Sequence, residues 1–511
     1  MDERRDTAVE GEAARLFLLS FVAVLATSFG FVLRAFVIDD WGREFALTET
    51  QKGELLGAGL WPFALSIVLL SFVIDRIGFR AVFVLAAVAH FTSVYFALTA
   101  DRVADLYVAT VALALGNGAI EAAVNPLIAT VYRHDKTRWL SMLHAGWPGG
   151  LVLGGLLSMW VGPDLDWRAR TAIVVVPVLA YVLLLVGRRF PVSERVAAGV
   201  TYREMLAETG AGSIAVAGGF AAFAFGGLCG WSVTAQVAIV AGVTAAYAFY
   251  SRSFGRPLFV LMLLLMVPMS TTELGVNSWI TSLMAPEMHR VGLHPGWVLI
   301  YTATLMLVLR LTAGPLIHRC KPLGVLALCS LLAALGLWTM STASGAGILV
   351  AATLFGTAIS FFWPATLGFV SEQCPRGGAV ALCTIAGVAM LSVGTVGAVL
   401  LGRLQDQQVE RSIVALDARA GSRLADQVLT EPRDGTFGRY RGVDAAKVAA
   451  LSPAERARLE DLIGASRQRA LATVALLPVI MLLVYLALIA WFRTRGGYRP
   501  LALDARPDTA R

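Results

Sequence analysis

Charge is scarce in these 511 residues: Asp, Glu, Lys and Arg make up 15%, against about 25% in a soluble globular chain. No Gly-x-x-x-x-Gly-Lys-Ser/Thr string cradles a phosphate, which argues against energy drawn from bound ATP. Gly116-Asn117-Gly118 lacks the spacing of a dinucleotide-binding turn. The five cysteines, Cys229, Cys320, Cys329, Cys374 and Cys383, form no Cys-x-x-Cys pair and no zinc-like spacing with histidine. They sit in or beside apolar stretches and read as small buried side chains. No metal or cofactor is expected. What fills the chain is apolar, at 57% of residues, more than a soluble fold buries. The sequence is that of an all-α integral membrane protein. Its net charge of +7 needs no nucleic acid, because the distribution of charge has a topological explanation.

A bilayer-crossing helix takes about 20 mostly apolar residues, and lipid tolerates no unpaired backbone. Fourteen runs qualify: 17–38, 53–74, 81–99, 106–131, 139–161, 170–187, 212–229, 231–250, 258–284, 297–317, 322–341, 347–371, 378–402 and 470–492. Thr209 to Ser251 are 43 residues without a charge. As one helix they would reach about 65 Å, twice the hydrocarbon thickness. A break near Gly226-Gly227 or at Gly230 makes them a hairpin; the alternative is one tilted span and a surface helix. The expected organisation is an N-terminal bundle with linker (1–208), an inserted transmembrane hairpin (209–255), five helices of a second bundle (256–404), an outer loop (405–468), and a last helix with tail (469–511).

The acidic N-terminus has no small-residue cleavage site after the first span and reads as a cytoplasmic tail. Alternating sides from there puts twenty-two Lys and Arg inside and six in the short outer segments. That bias follows the positive-inside rule and predicts both termini in the cytoplasm, with a bacterial inner membrane as the setting. The loop 405–468 holds ten acids and ten bases and reads as a solvated excursion. Within it, Ser452-Pro453-Ala454-Glu455 has the cap spacing of a helix start.

The chain repeats itself. With Pro126 set on Pro364, Gly118 falls on Gly356; likewise Asp75-Arg76 lies over His318-Arg319, each pair just after the second span of a six-span set. Repeated halves are a common plan of secondary transporters. The segment Ser71-Phe72-Val73-Ile74-Asp75-Arg76-Ile77-Gly78-Phe79-Arg80 resembles the major facilitator superfamily signature Gly-x-Leu-x-Asp-Arg-x-Gly-Arg-Lys/Arg. Asp75, Arg76, Gly78 and Arg80 match; Ser71 and Phe79 depart. The resemblance implies two six-helix bundles around a central cavity, here with the hairpin inserted between them. More weakly, Gly118-Ala-Ile-Glu121-Ala-Ala-Val-Asn125-Pro126 and His144-Ala-Gly-Trp147 resemble the fucose-permease branch, where the acid on helix four is implicated in substrate or proton binding. This chain lacks the acid that branch carries within helix one; it has Arg34, with Asp39 and Asp40 only at the outer end.

Ionisable side chains in mid-membrane are costly and mark function by default. Glu121 and Glu273 lie near the middles of their spans, each with an amide four residues on, Asn125 and Asn277. That spacing predicts acid and amide on one helix face. Arg34 and Arg310 are the basic counterparts, available to pair with these acids or to bind an anionic group on substrate; for Arg34 the alternative is snorkelling to the outer interface. Trp147 and Trp363, each before a proline, are candidate stacking surfaces, with plain packing at a kink as the alternative. His90 and His144 read as packing or hydrogen-bonding residues. Asp75, Arg76, Gly78 and Arg80, with Glu372 as partner for one of the arginines, form a candidate cytoplasmic gate; the alternative is a topogenic basic loop. The function expected is proton-coupled symport of a sugar or sugar-like solute by alternating access. A proton-antiporting exporter of amphipathic compounds and a non-transporting solute receptor are the rivals. A monomer is expected, with a small-molecule substrate, protons and the lipid bilayer as its partners.

Overall fold

The computed structural model describes the chain except Met1 and residues 46, 48–54, 56–57, 162–164, 278–287, 289, 291, 293–295, 346, 433–436 and 504–511. The apolar runs satisfy their backbones internally, as helices. The first half comprises α1 (Asp2–Glu44), α2 (Trp61–Leu98), α3 (Val103–Val131), α4 (Lys136–His144), α5 (Gly146–Val161), α6 (Trp167–Ala172) and α7 (Val175–Leu185). A hairpin follows, α8 (Tyr202–Cys229) and α9 (Val233–Ser251). The second half has α10 (Pro257–Ser270), α11 (Gly296–Leu311), α12 (Gly314–Met340), α13 (Gly347–Gln373), α14 (Gly378–Ser392), α15 (Ala398–Ala420), α16 (Pro453–Val474) and α17 (Leu476–Thr494). The segment expected as an N-terminal tail is helical from Asp2, continuous with the first span.

The expected count of fourteen spans is not met by fourteen separate long helices. Among the described residues, twelve are long and apolar enough to cross a bilayer, and α11 is a shorter apolar helix. The difference has a physical origin at the signature segment. Spans two and three are one continuous element of 38 residues, because the turn between them reduces to a single non-helical residue, Gly78, at φ 81° and ψ 156°. In the second half α12 has the same interruption at Lys321, φ 57° and ψ 166°. Gly78 and Lys321 are equivalent positions when Asp75 is laid on His318, so the repeat seen in sequence extends to backbone torsions.

Lipid tails are as apolar as leucine, so helices hold together in a membrane by close packing and polar bonds. On α5, a Cβ at Gly150 would fall 2.3 Å from the Leu25 carbonyl of α1; glycine there lets the two backbones touch. On α2, Ser66 donates to the Leu115 carbonyl of α3 at 2.8 Å. The halves meet along α2 with α14, α5 with α11, and α4 with α13, and one continuous apolar core runs through both.

The hairpin turns at Gly230, φ 66°. Its first helix packs on α14 and on α2, where Phe225 meets the Trp61 ring at 5.2 Å. The most apolar stretch of α9 has no buried residue. Past the π-helical turn Val393–Gly397, α15 continues into charged sequence and pairs with α16. Val409, Ile413, Val428, Leu429 and Leu459 form a separate small core there. The segment expected as a solvated excursion therefore carries folded helices with a small core of their own. Its capping box is present, with Ser452 and Glu455 bonded reciprocally.

Candidate substrate and proton site

Three prolines shape the centre of the bundle. A proline has no N–H for the carbonyl four residues before it, and that carbonyl must find another donor. Pro364 in α13 releases the carbonyl of Ser360, and Pro148 in α5 releases that of His144. Both accept from Arg310 of α11: Nε donates to Ser360 at 2.6 Å and Nη1 to His144 at 2.8 Å. The third nitrogen, Nη2, lies 3.4 Å from Glu273 Oε1. One guanidinium thus ties the first half, through His144, to the second, through Ser360 and Glu273. Pro126 in α3 releases the Ala122 carbonyl, which lies 3.8 Å from the Cys383 thiol of α14 as its donor, another link between halves.

Glu121 and Asn125 share a face of α3, as their spacing predicts. The Asn125 amide donates to Glu121 Oε2 at 2.8 Å and to the Glu121 carbonyl at 3.1 Å. With its Nδ2 so committed, Asn125 offers Oδ1 to His144 Nε2 at 2.9 Å, which assigns the proton to Nε2. The Trp363 ring faces the His144 imidazole, centroids 6.3 Å apart. Glu121, Asn125, His144, Arg310 and Glu273 form one linked set, all buried. His144, expected as a packing or hydrogen-bonding residue and not counted in the site, is a hydrogen-bonded member of it. The signal that finds it is Pro148 four positions on, which makes its carbonyl a ligand for a buried cation.

Other expected members stand apart. Asn277 makes no bond to Glu273; Asn277 Oδ1 and Glu273 Oε2 are buried without partners. The cause is a π-helical turn, Thr271–Gly275, whose wider coil breaks the four-residue register. Arg34 on α1 is buried and bonded to none of this set. Its guanidinium sits 5.8 Å from the Phe31 ring, which in turn lies 6.1 Å from Trp147. Trp147 therefore belongs with Arg34, while Trp363 belongs with His144. A second buried polar group fills the first half: His90 bonds Tyr181 at 3.1 Å and Asn117 at 3.0 Å, a satisfied network in the packing role expected of it.

The signature end is closed by side chains from both halves. Asp75 accepts from Arg195 Nε at 2.9 Å, from Arg195 Nη2 at 2.5 Å and from Ser193 at 2.8 Å. Arg76 lies over the Tyr202 ring at 5.2 Å, and Arg80 donates to the Arg188 carbonyl. Glu372 pairs with neither arginine, contrary to expectation. It accepts from Thr137 of α4 at 2.5 Å and from Tyr498 of the C-terminal segment at 2.7 Å. Lys136 reaches Glu194 at 2.6 Å and the Ser371 carbonyl at 3.4 Å. The start of α4 approaches α13 so closely that a Cβ at Gly368 would fall 2.2 Å from Thr137 Oγ1. Arg76 or Arg80 was the expected partner because Glu372 lies at the inner end of its span; Thr137 of α4 and Tyr498 hold it instead.

Two repeated helical halves, joined at mid-bundle by opposed buried charges and shut at one end, have the architecture of a membrane transporter. The model of the Major Facilitator Superfamily matches residues 16–401, and the chain belongs to that superfamily, a family of transporters rather than enzymes. In sequence it is similar to the cis,cis-muconate transport protein of Acinetobacter baylyi, 28% identical over 170 residues, 33% of this chain and 41% of that protein. The match thus spans about two-fifths of the length of that curated relative. Among solved structures it is similar to the xylose transporter XylE from E. coli in a partially occluded inward-open conformation, at 16% identity and TM-score 0.54, covering 76% of this chain and 91% of that one. The E. coli fucose:proton symporter FucP, in its outward conformation, matches at 13% and 0.55 over 92% and 98%. The human organic anion transporter MFSD10 (TETRAN) matches at 11% and 0.59 over 93% and 99%. These structural likenesses show the fold.

Proposed function

We propose that the chain is a proton-coupled secondary transporter that carries a small polar organic solute by alternating access. The observation that supports this most is Arg310, held at once by Glu273, by Ser360 and by the His144 carbonyl of the opposite half. When the halves rock, the His144 contact breaks, the guanidinium turns to the carboxylates and to substrate, and the site opens. Glu121, fixed by Asn125 and His144, takes up a proton on one side and releases it on the other. The basic signature end faces the cytoplasm in this reading.

Two substrate classes have support. A sugar-like solute accords with the resemblance to the fucose-permease branch and with the solutes named for XylE and FucP. An organic acid accords with the muconate relative and with two buried arginines. The proton role is tested in proteoliposomes. Glu121→Gln should keep solute counterflow without a gradient and lose proton-driven accumulation; normal accumulation by this variant would remove Glu121 from the coupling step.

A further inference from the structure

Within the apolar spans, and among the described residues, Arg34 is the cation without a partner. Arg310 has three acceptors; Arg34 Nε and Nη1 have none, although the residue is 5% exposed. Among the described residues no carboxylate pairs with it. A guanidinium in that position is unfavourable unless an anion arrives to meet it. Its surroundings are suited to one. Gly59 comes so close that a Cβ there would fall 2.4 Å from Nη2, so a glycine backbone forms one wall. Phe31, a residue 39% exposed, forms another, its ring 5.8 Å from the guanidinium carbon. Trp147, from α5, extends the aromatic surface.

We propose that Arg34 anchors a carboxylate of the transported solute, which makes the substrate a small organic anion rather than a neutral sugar. The inference rests on the transporter reading above and deepens it. A carboxylate supplies an acceptor for an unmet nitrogen and the missing counter-charge; a planar or unsaturated body beyond it lies against Phe31 and Trp147. A hydroxyl of a sugar supplies an acceptor but no charge, and leaves the guanidinium uncompensated.

The test uses the full-length protein in detergent, with thermal stabilisation read against benzoate, adipate, benzamide, adipamide and D-xylose. A carboxylate should raise the melting temperature where its amide does not. Arg34→Gln should abolish that shift, Arg34→Lys should retain part, and Gly59→Ala, whose methyl displaces the guanidinium, should weaken apparent affinity about tenfold. Without ligand, Arg34→Gln should melt no lower than the parent, since it removes an unpaired charge; a clear drop reveals a structural partner and overturns the proposal. So does the absence of any carboxylate shift, equal shifts from acids and amides, or a carboxylate shift that survives Arg34→Gln. In proteoliposomes, D-xylose exchange unaffected by Arg34→Gln would reject the anchor and leave the transporter intact. An Arg34-dependent carboxylate shift with no exchange of any probe would retain the site and reject transport.

Discussion

Arg310 is held by carbonyls that prolines have released, and this makes its contribution separable by mutation. Arg310→Gln leaves Glu273 buried beside no cation, and breaking a buried pair from one side costs about 3–5 kcal/mol. The melting temperature of that variant in detergent should fall steeply, and adding Glu273→Gln should recover part of the loss. No recovery would mean that the Ser360 and His144 carbonyls, not the carboxylate, carry the arginine's contribution. Much of this was legible at the residue scale: Glu121, Glu273 and Arg310 stood out as charges in apolar runs, and the Glu121–Asn125 bond followed from helical spacing. The Glu273–Asn277 pair did not form, because a π-helical turn changes the register and no residue in Thr271–Gly275 announces it. His144 was not counted in the site because the carbonyl that Pro148 releases, not its ring, is what binds Arg310.

At the scale of elements, Gly78 and Lys321 hold the same extended, positive-φ conformation, a region that favours glycine and costs other residues about 1–3 kcal/mol. Lys321→Gly should therefore raise stability by about 1 kcal/mol, after the entropy glycine loses on folding is deducted. Gly78→Ala should lower it by a similar amount or more. Chemical denaturation in detergent reads both, and a destabilised Lys321→Gly would show that the lysine side chain outweighs its backbone. The break at Gly230 was one of two that the charge-free stretch offered, and the cap at Ser452 was readable three residues from its glutamate. The continuation of α15 was not, because its charge suggested a loop. The overlooked signal is Val409 and Ile413, four residues apart, an apolar stripe on a charged helix.

For the whole molecule, the repeat foretold two halves, but nothing in one sequence foretold which side chains would meet between them. Thr137 with Glu372, and Lys136 with Ser371, cross from one half to the other at the signature end. A net hydrogen bond contributes about 1 kcal/mol, so removing one shifts the open population about fivefold. Cys374 is buried at that end, 3% exposed, and serves as a native reporter. With the other four cysteines replaced, Thr137→Val should raise its rate of maleimide labelling about fivefold. An unchanged rate would mean that the Thr137 bond does not hold that end shut.

The paired helices α15 and α16 join the second half through α14 and α17 and carry a small core of their own. Among the described residues their principal contacts outside the pair are with the second half, so the pair serves as a pointer for that half. Most of such a protein is hidden in a detergent belt, where images of single particles have few landmarks. Here the pointer supplies one, and a spin label at Ser422 paired with another at Asp101 turns the rocking of the halves into a measurable change of distance.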